Sequence, residues 1–406
     1  MVKKYPATEM ISFEEAIHHS DRVTQSLLVA SETISVHQAV NRILREDIKS
    51  RLDLPPFNKS AMDGYAILEN DDRESYQLLE IVAAGSVGSR KLQPGTTVKV
   101  MTGAPVPAGT GRVVMVEHTI QSGEMVTITQ KSTNTNISLK AEDIQTGDVV
   151  LTKGRQLDEV DIATIISCGV SKVHVSRPIK IALFATGDEI VNDFDELEPG
   201  KIMNSNGPLM RSLAARYDLD VVMEKIVPDD KVILRRDFRE GLAEADIVVL
   251  SGGVSVGDFD YVEDIMRELG LIVHFTRVAQ KPGKPMTFAS SQEKVIFGLP
   301  GNPVAVYTTF FLYVLRAAVH LAGGKAPVRY INLPLDHDFR RRKGIRKEFI
   351  PTRLTVDGRL AIVPYHGSAH LSALTQADGF LVIPVNTLSL SAGTRVQFIP
   401  FKMKGL

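Results

Sequence analysis

The sequence has a single cysteine and no tryptophan among its 406 residues. One thiol, Cys168, excludes an internal disulfide, a zinc site built from thiolates and an iron–sulfur cluster. We expect Cys168 to be a small buried side chain, because apolar residues precede it. Aromatic residues make up only 6% of the chain, so the stacking platforms that single-stranded nucleic acid needs are scarce.

An excess of charge of either sign is also lacking. The chain has 47 basic and 48 acidic residues, and its formal net charge is −1. This balance gives no overall field that attracts nucleic acid or an anionic membrane, so we expect neither as a partner. The basic run 340–343 (Arg-Arg-Arg-Lys) is expected to be a solvated hairpin tip.

Long apolar runs are missing as well. The most apolar stretch, residues 304–315, is followed by Arg316 and is expected to be too short to cross a membrane. No apolar run follows the basic residues near Met1, so we expect no signal peptide. Together with the near absence of cysteine, these features favour a cytoplasmic protein.

The pattern of apolar and turn-forming residues changes along the chain. The length of the chain suggests two to four domains. Ser12 and Glu15 form a capping-box pattern, which predicts an opening helix. Residues 52–152 contain short apolar runs separated by Gly, Pro and Asn, a pattern that predicts a β-rich unit. Residues 179–324 alternate strand-like and helix-like runs, which predicts a mostly parallel sheet covered on both faces. Short strands return after residue 326.

Three turns in the α/β segment each follow a predicted strand and contain glycine. They are Thr186-Gly-Asp-Glu189, the stretch 251–260 that begins Ser251-Gly252-Gly253, and Gly298-Leu-Pro300-Gly-Asn302-Pro303. Such turns gather at the carboxyl ends of parallel strands, where ligands bind. Glycine lets backbone N–H groups approach an anion, and an Asn-Pro pair suits the start of a helix. The turns therefore predict a site for phosphate groups.

Charged residues accompany these turns. Asp258 and Asp260 follow the glycines of the second turn. A carboxylate repels a phosphate unless a cation such as Mg²⁺ lies between them, so the pattern predicts metal-bridged phosphate chemistry. Lys281 and Lys284 belong to a turn stiffened by two prolines, and we interpret them as phosphate ligands; Arg277 lies four residues before Lys281.

A serine hydrolase is an alternative interpretation of the second turn. Gly253-Val-Ser255-Val-Gly257 matches the nucleophile elbow of α/β-hydrolases and lies between a predicted strand and a predicted helix. The histidines that would have to complete such a site are His274, His320, His366 and His370. The nearby aspartates and the lysine-bearing turn have no role in ester hydrolysis, so this interpretation is the weaker one.

Loops of the β-rich segment also carry side chains of the ligand type. Asp63 lies in a loop that follows two prolines, Thr102 lies in a Gly/Pro turn, and Glu142 and Asp143 follow one another. Carboxylate oxygens suit Mg²⁺, and a threonine hydroxyl can donate to an oxyanion.

Six motifs, taken together, resemble those of the molybdopterin molybdenumtransferase family, which includes the gephyrin E domain. They occur in the family's order, and the resemblance runs nearly from end to end. The motifs are Ser60-Ala-Met-Asp-Gly-Tyr-Ala66, Met101-Thr-Gly-Ala-Pro-Val-Pro107, Thr186-Gly-Asp-Glu189, Ser251-Gly-Gly-Val-Ser-Val-Gly-Asp258, Lys281-Pro-Gly-Lys-Pro285 and Gly298-Leu-Pro-Gly-Asn-Pro303.

The resemblance implies a multidomain α/β plus β fold and an L-shaped homodimer. It implies a molybdopterin-binding-type three-layer α/β domain (10–28 and 178–326), a small connecting domain (29–48 and 149–177), a β-rich domain (49–148) and a C-terminal β-barrel (327–406). By the same analogy, the active cleft lies between the α/β domain of one subunit and the 49–148 domain of the other.

The implied reaction inserts molybdate into adenylylated molybdopterin with Mg²⁺-dependent release of AMP. Transient contacts with molybdopterin adenylyltransferase and with apo-molybdoenzymes are also implied. The implied catalytic residues are Asp63, Thr102, Asp143, Glu189 and Asp260, of which Glu189, Asp260 and Asp63 would hold metal. The implied substrate-binding residues are Ser251, Gly252, Gly253, Ser255, Asp229, Arg277, Lys281, Lys284, Pro300, Asn302, Pro303, Ser368 and Ser372.

One stretch departs from the family pattern. Many members carry Arg-x-x-Gly before the Glu-Asp pair, whereas this chain has Ser138 and Ala141, with Lys140 as the nearest cation. Either Lys140 substitutes for the arginine or one oxyanion contact is weaker. Two further interpretations stay open: a molybdopterin adenylyltransferase, which needs only the α/β module, and a molybdopterin-binding scaffold without turnover.

Overall fold

The computed structural model describes residues 9–131, 133–253, 262–326 and 329–401. Within these ranges the chain forms α-helices, short 3₁₀ turns and strands. The helices are α1 (Phe13–Gln25), α2 (Glu159–Ser167), α3 (Asn206–Arg216), α4 (Lys231–Glu244), α5 (Val262–Glu268), α6 (Pro303–Thr309), α7 (Leu315–Leu321) and α8 (Ser372–Thr375). The 3₁₀ segments are Val36–Gln38, Val116–His118 and Phe194–Glu196.

The predicted opening helix and the mostly parallel sheet are both confirmed. The capping box of Ser12 and Glu15 is formed in α1, where Ser12 Oγ accepts from Glu15 N at 3.1 Å. The α/β sheet has six strands: the first four run parallel, the fifth runs antiparallel to them, and the sixth, which is antiparallel to the fifth, runs in the direction of the first four. In spatial order they are Asp220–Val227, Lys180–Thr186, Ile247–Ser251, Val295–Leu299, Pro285–Ser290 and Ile272–Arg277.

Helices cover both faces of this sheet, because successive strand residues point to opposite sides. Ile181 and Leu183 pack into a core with α1, α3, α6 and α7, whereas Ala182 and Phe184 pack against α4 and α5. Gly241 lets α4 approach closely, since a Cβ atom there would lie 2.9 Å from the ring of Phe184. Burial of such large apolar side chains stabilises the domain by about 1.5–3 kcal/mol each.

The helical segment Pro303–Leu321 is longer than the apolar stretch seen in the sequence. It consists of α6, a π-helical turn (Phe310–Val314) and α7. With 19 residues it is long and apolar enough by length and composition to cross a membrane, so the sequence-based expectation that it is too short was wrong. However, 89% of its most apolar part is buried inside the protein, where it forms the centre of the α/β core.

The segment between α1 and the α/β sheet forms two further units. The β-rich unit has a six-stranded sheet in the order Thr110–Met115, Gly64–Leu68, Thr96–Val100, Ser75–Val82, Met125–Ile128 and Thr119–Ser122. A smaller unit pairs Ser31–Ser35 with Lys172–Ser176 and Ile48–Lys49 with Val149–Leu151, next to α2. A short ladder also joins Lys59–Ser60 to Ile137–Ser138, and another, within the α/β segment, joins Ile190–Val191 to Ile202–Met203. Cys168 is fully buried, as expected.

The C-terminal segment forms a sheet that shares the core of the α/β domain. Its strands are Gln280–Lys281, Lys347–Leu354, Gly379–Ile383, Arg395–Pro400 and Ile331–Pro334, with Leu360–Ile362 beside the second and a short ladder of Phe339–Arg340 with Ser389–Leu390. The first of these strands comes from the α/β segment. Phe349 and Phe380 pack into the same core as α1, and the rings of Phe13 and Phe349 lie 5.0 Å apart. The predicted multidomain α/β plus β fold class is confirmed, and the exact domain bounds stay a prediction.

The basic run 340–343 is only partly a solvated tip. The side chain of Arg341 is just 8% exposed, and its Nη1 donates to Glu348 Oε2 at 3.2 Å and to the carbonyl of Arg346 at 3.0 Å. The expectation for this residue was therefore wrong, because a buried carboxylate in the adjoining strand draws the guanidinium inward.

The loop that departs from the family pattern has a left-handed residue. Ala141 has φ 61°, a conformation that a glycine would adopt without strain. The neighbouring Lys140 places its Nζ 3.2 Å from Asp53 Oδ2, and its backbone N–H donates to Asn58 Oδ1 at 2.7 Å. Lys140 is thus held by the loop that contains Asp53 and Asn58.

Replacement of Ala141 by glycine is expected to stabilise this unit. The free energy of unfolding should rise by about 1 kcal/mol, because the left-handed backbone penalises a Cβ atom. Thermal unfolding of the full chain measures the effect. The control is Gly147→Ala in the same loop: Gly147 has φ 96° and open space where a Cβ atom would lie, so backbone strain alone should make the control less stable. A lower melting temperature for Ala141→Gly would contradict the prediction.

Candidate functional site

The three glycine-bearing turns of the α/β sheet lie side by side at the carboxyl ends of neighbouring parallel strands. Thr186 Oγ1 donates to the carbonyl of Ser251 at 3.4 Å, and the N–H of Gly252 donates to the carbonyl of Leu299 at 3.1 Å. A Cβ atom on Gly301 would lie 3.8 Å from the Cα atom of Gly252. The structure therefore brings together at one edge the turns that are far apart in the sequence.

Glycine is required in the second turn for two reasons. Gly252 and Gly253 have φ angles of 98° and 62°, a region that residues with a Cβ atom rarely adopt. In addition, a Cβ atom on Gly252 would lie 2.5 Å from the carbonyl oxygen of Thr186. A side chain at Gly252 would push the first two turns apart.

A cleft of about 720 Å³ opens between these turns. Its apolar lining residues include Ile190, Ile202 and Met203, and Ala369 comes from a turn of the C-terminal segment. The volume falls in the range typical of small-molecule sites. Many of the predicted residues belong to the lining: Glu189, Asp229, Ser251, Gly252, Gly253, Pro300, Asn302 and Pro303.

Residues 204–206 (Asn-Ser-Asn) also line the cleft, and the sequence analysis missed them. Asn204 Oδ1 accepts the N–H of Gly207 at 2.9 Å and so caps the start of α3. Asn206 Nδ2 donates to the carbonyl of Gly301 at 2.7 Å and fixes the third turn. The signal available in the sequence was a cluster of cap-type residues just before a predicted helix.

Acidic side chains gather at one end of the cleft. The N–H of Asp229 donates to Asp188 Oδ1 at 3.0 Å. Burial, followed by the negative charges of Asp188 and Glu189, raises the pKa of Asp229 above its usual value. A bound cation would relieve this repulsion. Ser255, Asp258 and Asp260 lie outside the described residues.

The three predicted phosphate ligands have different surroundings. Arg277 pairs in register with Pro285, a residue of the cleft lining, and Lys284 precedes that proline in sequence. Within the described ranges neither Arg277 nor Lys284 forms an ion pair with an acidic side chain. Lys281, in contrast, places its Nζ 2.6 Å from Oε1 of the buried Glu348 in the C-terminal sheet.

A loop of the C-terminal sheet is fastened to the third turn. Asn302 Nδ2 donates to Ser368 Oγ at 2.9 Å, and the N–H of Val304 donates to the carbonyl of Ser368 at 3.0 Å. Asn302 occupies the predicted cap position of α6 and Pro303 the first helical position, but the Asn302 side chain forms no capping hydrogen bond. Ser372 is the first residue of α8.

Of the residues predicted in the β-rich unit, Asp63 and Thr102 contact each other, and neither they nor Asp143 line the cleft. The backbone N–H and the hydroxyl of Thr102 donate to Asp63 Oδ1 at 2.7 and 2.8 Å. These two hydrogen bonds lower the pKa of Asp63, which keeps the exposed carboxylate ionised. Asp143 is exposed in the loop after Lys140.

Of the four histidines that a serine hydrolase could use, two are engaged elsewhere, and none of the four is among the described residues that line the cleft. His274 is buried, with Nδ1 at 3.1 Å from His19 Nε2 and Nε2 at 2.8 Å from Ser290 Oγ. His320 is buried beside Asp21 and Thr24 of α1. Neither histidine belongs to the described lining of the cleft, which weakens the hydrolase interpretation further.

Family models match three consecutive parts of the chain. Residues 11–169 match the MoeA N-terminal region (domain I and II), and residues 182–320 match a probable molybdopterin binding domain. Residues 332–401 match the MoeA C-terminal region (domain IV).

Similar proteins extend over the same length. The molybdopterin molybdenumtransferase of Staphylococcus epidermidis is 36% identical over 400 residues, which are 96% of this chain and 95% of that protein. The one from Staphylococcus aureus is 36% identical over 401 residues, with the same shares. The crystal structure of molybdopterin biosynthesis moeA protein from Pyrococcus horikoshii OT3 has a TM-score of 0.83 at 27% identity and covers 97% of this chain and 100% of its own.

The resemblance carried by the six motifs is thus confirmed along nearly the whole sequence. Relatives more than a third identical to this chain, family models in the expected order and a shared full-length fold agree. The chain belongs to the molybdopterin molybdenumtransferase family.

Proposed function

We propose that the chain inserts molybdate into adenylylated molybdopterin, releasing AMP and molybdenum cofactor. The observation that carries this proposal is the gathering of three glycine-bearing turns around one cleft of about 720 Å³. Such turns suit a ligand with phosphate groups, because their backbone N–H groups can point at an anion. The dithiolene sulfurs that bind molybdenum come from the substrate, so the chain needs no thiolate ligand of its own. This agrees with its single cysteine being buried.

The acidic end of the cleft fits Mg²⁺. Within residues 9–131, 133–253, 262–326 and 329–401, no group of three histidine, cysteine or acidic side chains could hold a metal ion. Mg²⁺ is commonly bound by one or two carboxylates together with substrate phosphates and waters. Glu189 and Asp229 would supply that number, and Asp260 would join them by family analogy. When bound, Mg²⁺ would neutralise charge on the phosphate link.

The chain's own residues position the substrate around this end of the cleft. Gly252 and Gly253 present backbone where no side chain intervenes, and Arg277 and Lys284 supply positive charge at the edge formed by Pro285. Lys281 would reach a phosphate only by leaving Glu348. Ser368 and Ser372 would contact the pterin side, as the fastening of Ser368 to Asn302 supports.

We further propose that Asp63, Thr102 and Asp143 serve the cleft of a partner subunit in a homodimer. The separation of these residues from the cleft within one chain supports the proposal. The donated hydrogen bonds from Thr102 hold Asp63 ionised at a fixed orientation, which suits a role near molybdate or the reacting phosphorus. Molybdopterin adenylyltransferase and apo-molybdoenzymes would be transient partners in the cytoplasm.

Purified protein should release AMP from adenylylated molybdopterin in a reaction that depends on molybdate and Mg²⁺. Gly252→Ala is expected to reduce this activity at least a hundredfold, because its Cβ atom would collide with the carbonyl of Thr186. Gly270→Ala is the control, since Gly270 also has a positive φ but no close neighbour. Tight pterin binding without AMP release would favour the scaffold interpretation instead.

Replacement of Glu189 by glutamine should weaken Mg²⁺ binding without changing the size of the side chain. The Mg²⁺ concentration for half-maximal AMP release is expected to rise about tenfold or more, because one charged oxygen ligand is lost. Glu198→Gln, at an exposed position nine residues further along the chain, is the matched control. If Glu189→Gln has an unchanged Mg²⁺ requirement, then Glu189 is not a metal ligand.

Mixing of two inactive variants tests the proposed composition of the site. Asp63→Asn keeps an oxygen for the two Thr102 donors but removes the charge, and Gly252→Ala disrupts the other half of the site. If each cleft combines two subunits, randomly mixed dimers should recover about a quarter of wild-type AMP release, since one cleft of each mixed dimer is intact. Recovery should fail if both halves come from one chain.

A further inference from the structure

Two residues that line the cleft each hold a buried polar atom that lacks a hydrogen-bond partner within the described parts of the chain. They are Asn206 Oδ1 and Ser251 Oγ, and their residues are only 7% and 1% exposed. Among the described residues only one other buried side-chain atom, on His118, shares this property. An unpaired polar atom away from water is costly to a fold, and the great majority find partners. Two of them in one cleft point to a ligand that supplies the missing partners.

The orientation of Asn206 is fixed by its other amide atom. Its Nδ2 donates to the carbonyl of Gly301 at 2.7 Å, so the amide cannot flip without placing two oxygens face to face. Oδ1 is therefore held as a pure acceptor. The atom that pairs with it must carry a hydrogen.

This requirement excludes the anionic parts of the substrate as partners of Asn206. Ionised phosphate and molybdate oxygens accept hydrogen bonds and would repel Oδ1. Apolar side chains also line the same cleft, among them Ile190, Ile202 and Met203. Apolar side chains beside one fixed polar atom suit the flat face and polar edge of a heterocyclic ring.

We propose that Asn206 is a specificity-determining residue that accepts a hydrogen bond from the exocyclic amino group of a planar heterocycle in the substrate. This inference rests on the proposed function, whose substrate carries two such rings, the adenine and the pterin. Both have an amino group on a ring edge, so the chemistry is shared. Ser251 Oγ can donate or accept, and it would pair with a neighbouring heteroatom of the same ring.

Pairs of ligands that differ at the amino group test the assignment. AMP is compared with IMP, and pterin with lumazine, because each second member has an oxo group where the first has an amino group. Binding is measured by calorimetry for the nucleotides and by ligand fluorescence for the pterins. The chain has no tryptophan, so no tryptophan emission overlaps the pterin signal. Neither measurement requires turnover, molybdate or Mg²⁺, so it gives a result even if the proposed reaction fails.

Wild-type protein should prefer the amino form of one pair by about tenfold, because the oxo form would oppose Asn206 Oδ1 with a second acceptor. The pair that shows this preference identifies the ring. Asn206→Leu should abolish the preference, whereas Asn206→Asp, which keeps an acceptor oxygen but loses the contact with Gly301, should retain it. A purely structural role would make both variants behave alike.

Asn204→Leu is the control, because Asn204 lines the same cleft two residues before Asn206. The Asn204 amide already has partners, Gly207 N–H and Asn192 Oδ1, so this variant should weaken both members of a pair equally. The assignment is overturned if wild-type protein binds amino and oxo forms equally, or binds none of the four ligands at millimolar concentration. It is also overturned if Asn206→Leu keeps the preference. The comparison of amino and oxo ligands on wild-type protein tests the assignment even if a variant fails to fold.

Discussion

Thr186, Gly252 and Gly301 belong to three different turns, yet their backbones are in contact, and this contact determines where the cleft lies. It is possible only because Gly252 has no side chain: a Cβ atom would lie 2.5 Å from the carbonyl of Thr186. The strands before these turns are buried and run parallel, so their ends cannot shift independently. The sheet thus supplies rigidity, and the glycines supply open backbone for a charged ligand.

The C-terminal sheet contributes to the site through the same core. Phe349 and Phe380 pack with α1, and Lys281 extends from the α/β segment to pair with the buried Glu348. Glu348 also pairs with Arg341 of its own sheet, so Lys281 adds a second cation to this buried carboxylate and links the two units. The loop with Ser368 is consequently held against the third turn, where Asn302 and Val304 donate to it.

Much of this architecture could be predicted from the sequence, because the signals are local. The capping box of Ser12, the alternation of buried strands with amphipathic helices and the glycines of Ser251-Gly-Gly each reflect a nearby physical requirement. Contacts across long separations could not be predicted. The burial of Arg341 depends on Glu348 in the next strand, and Asn206 reaches the cleft only because α3 begins beside Gly301. Neither requirement leaves a periodic pattern in the sequence.

The cleft carries several features that cost stability. Asp229 lies near two other acids, which with burial raise its pKa, and Asn206 and Ser251 hold polar atoms that the described residues leave without partners. Selection for stability alone would remove such features, since apolar or paired side chains could replace them. Each cost disappears if the cleft receives a cation, phosphates and a ring with hydrogen-bonding groups. The proposed function accounts for each of these features: a bound cation would offset the repulsion among the acidic groups, and an N–H group of the ligand would pair with the fixed acceptor.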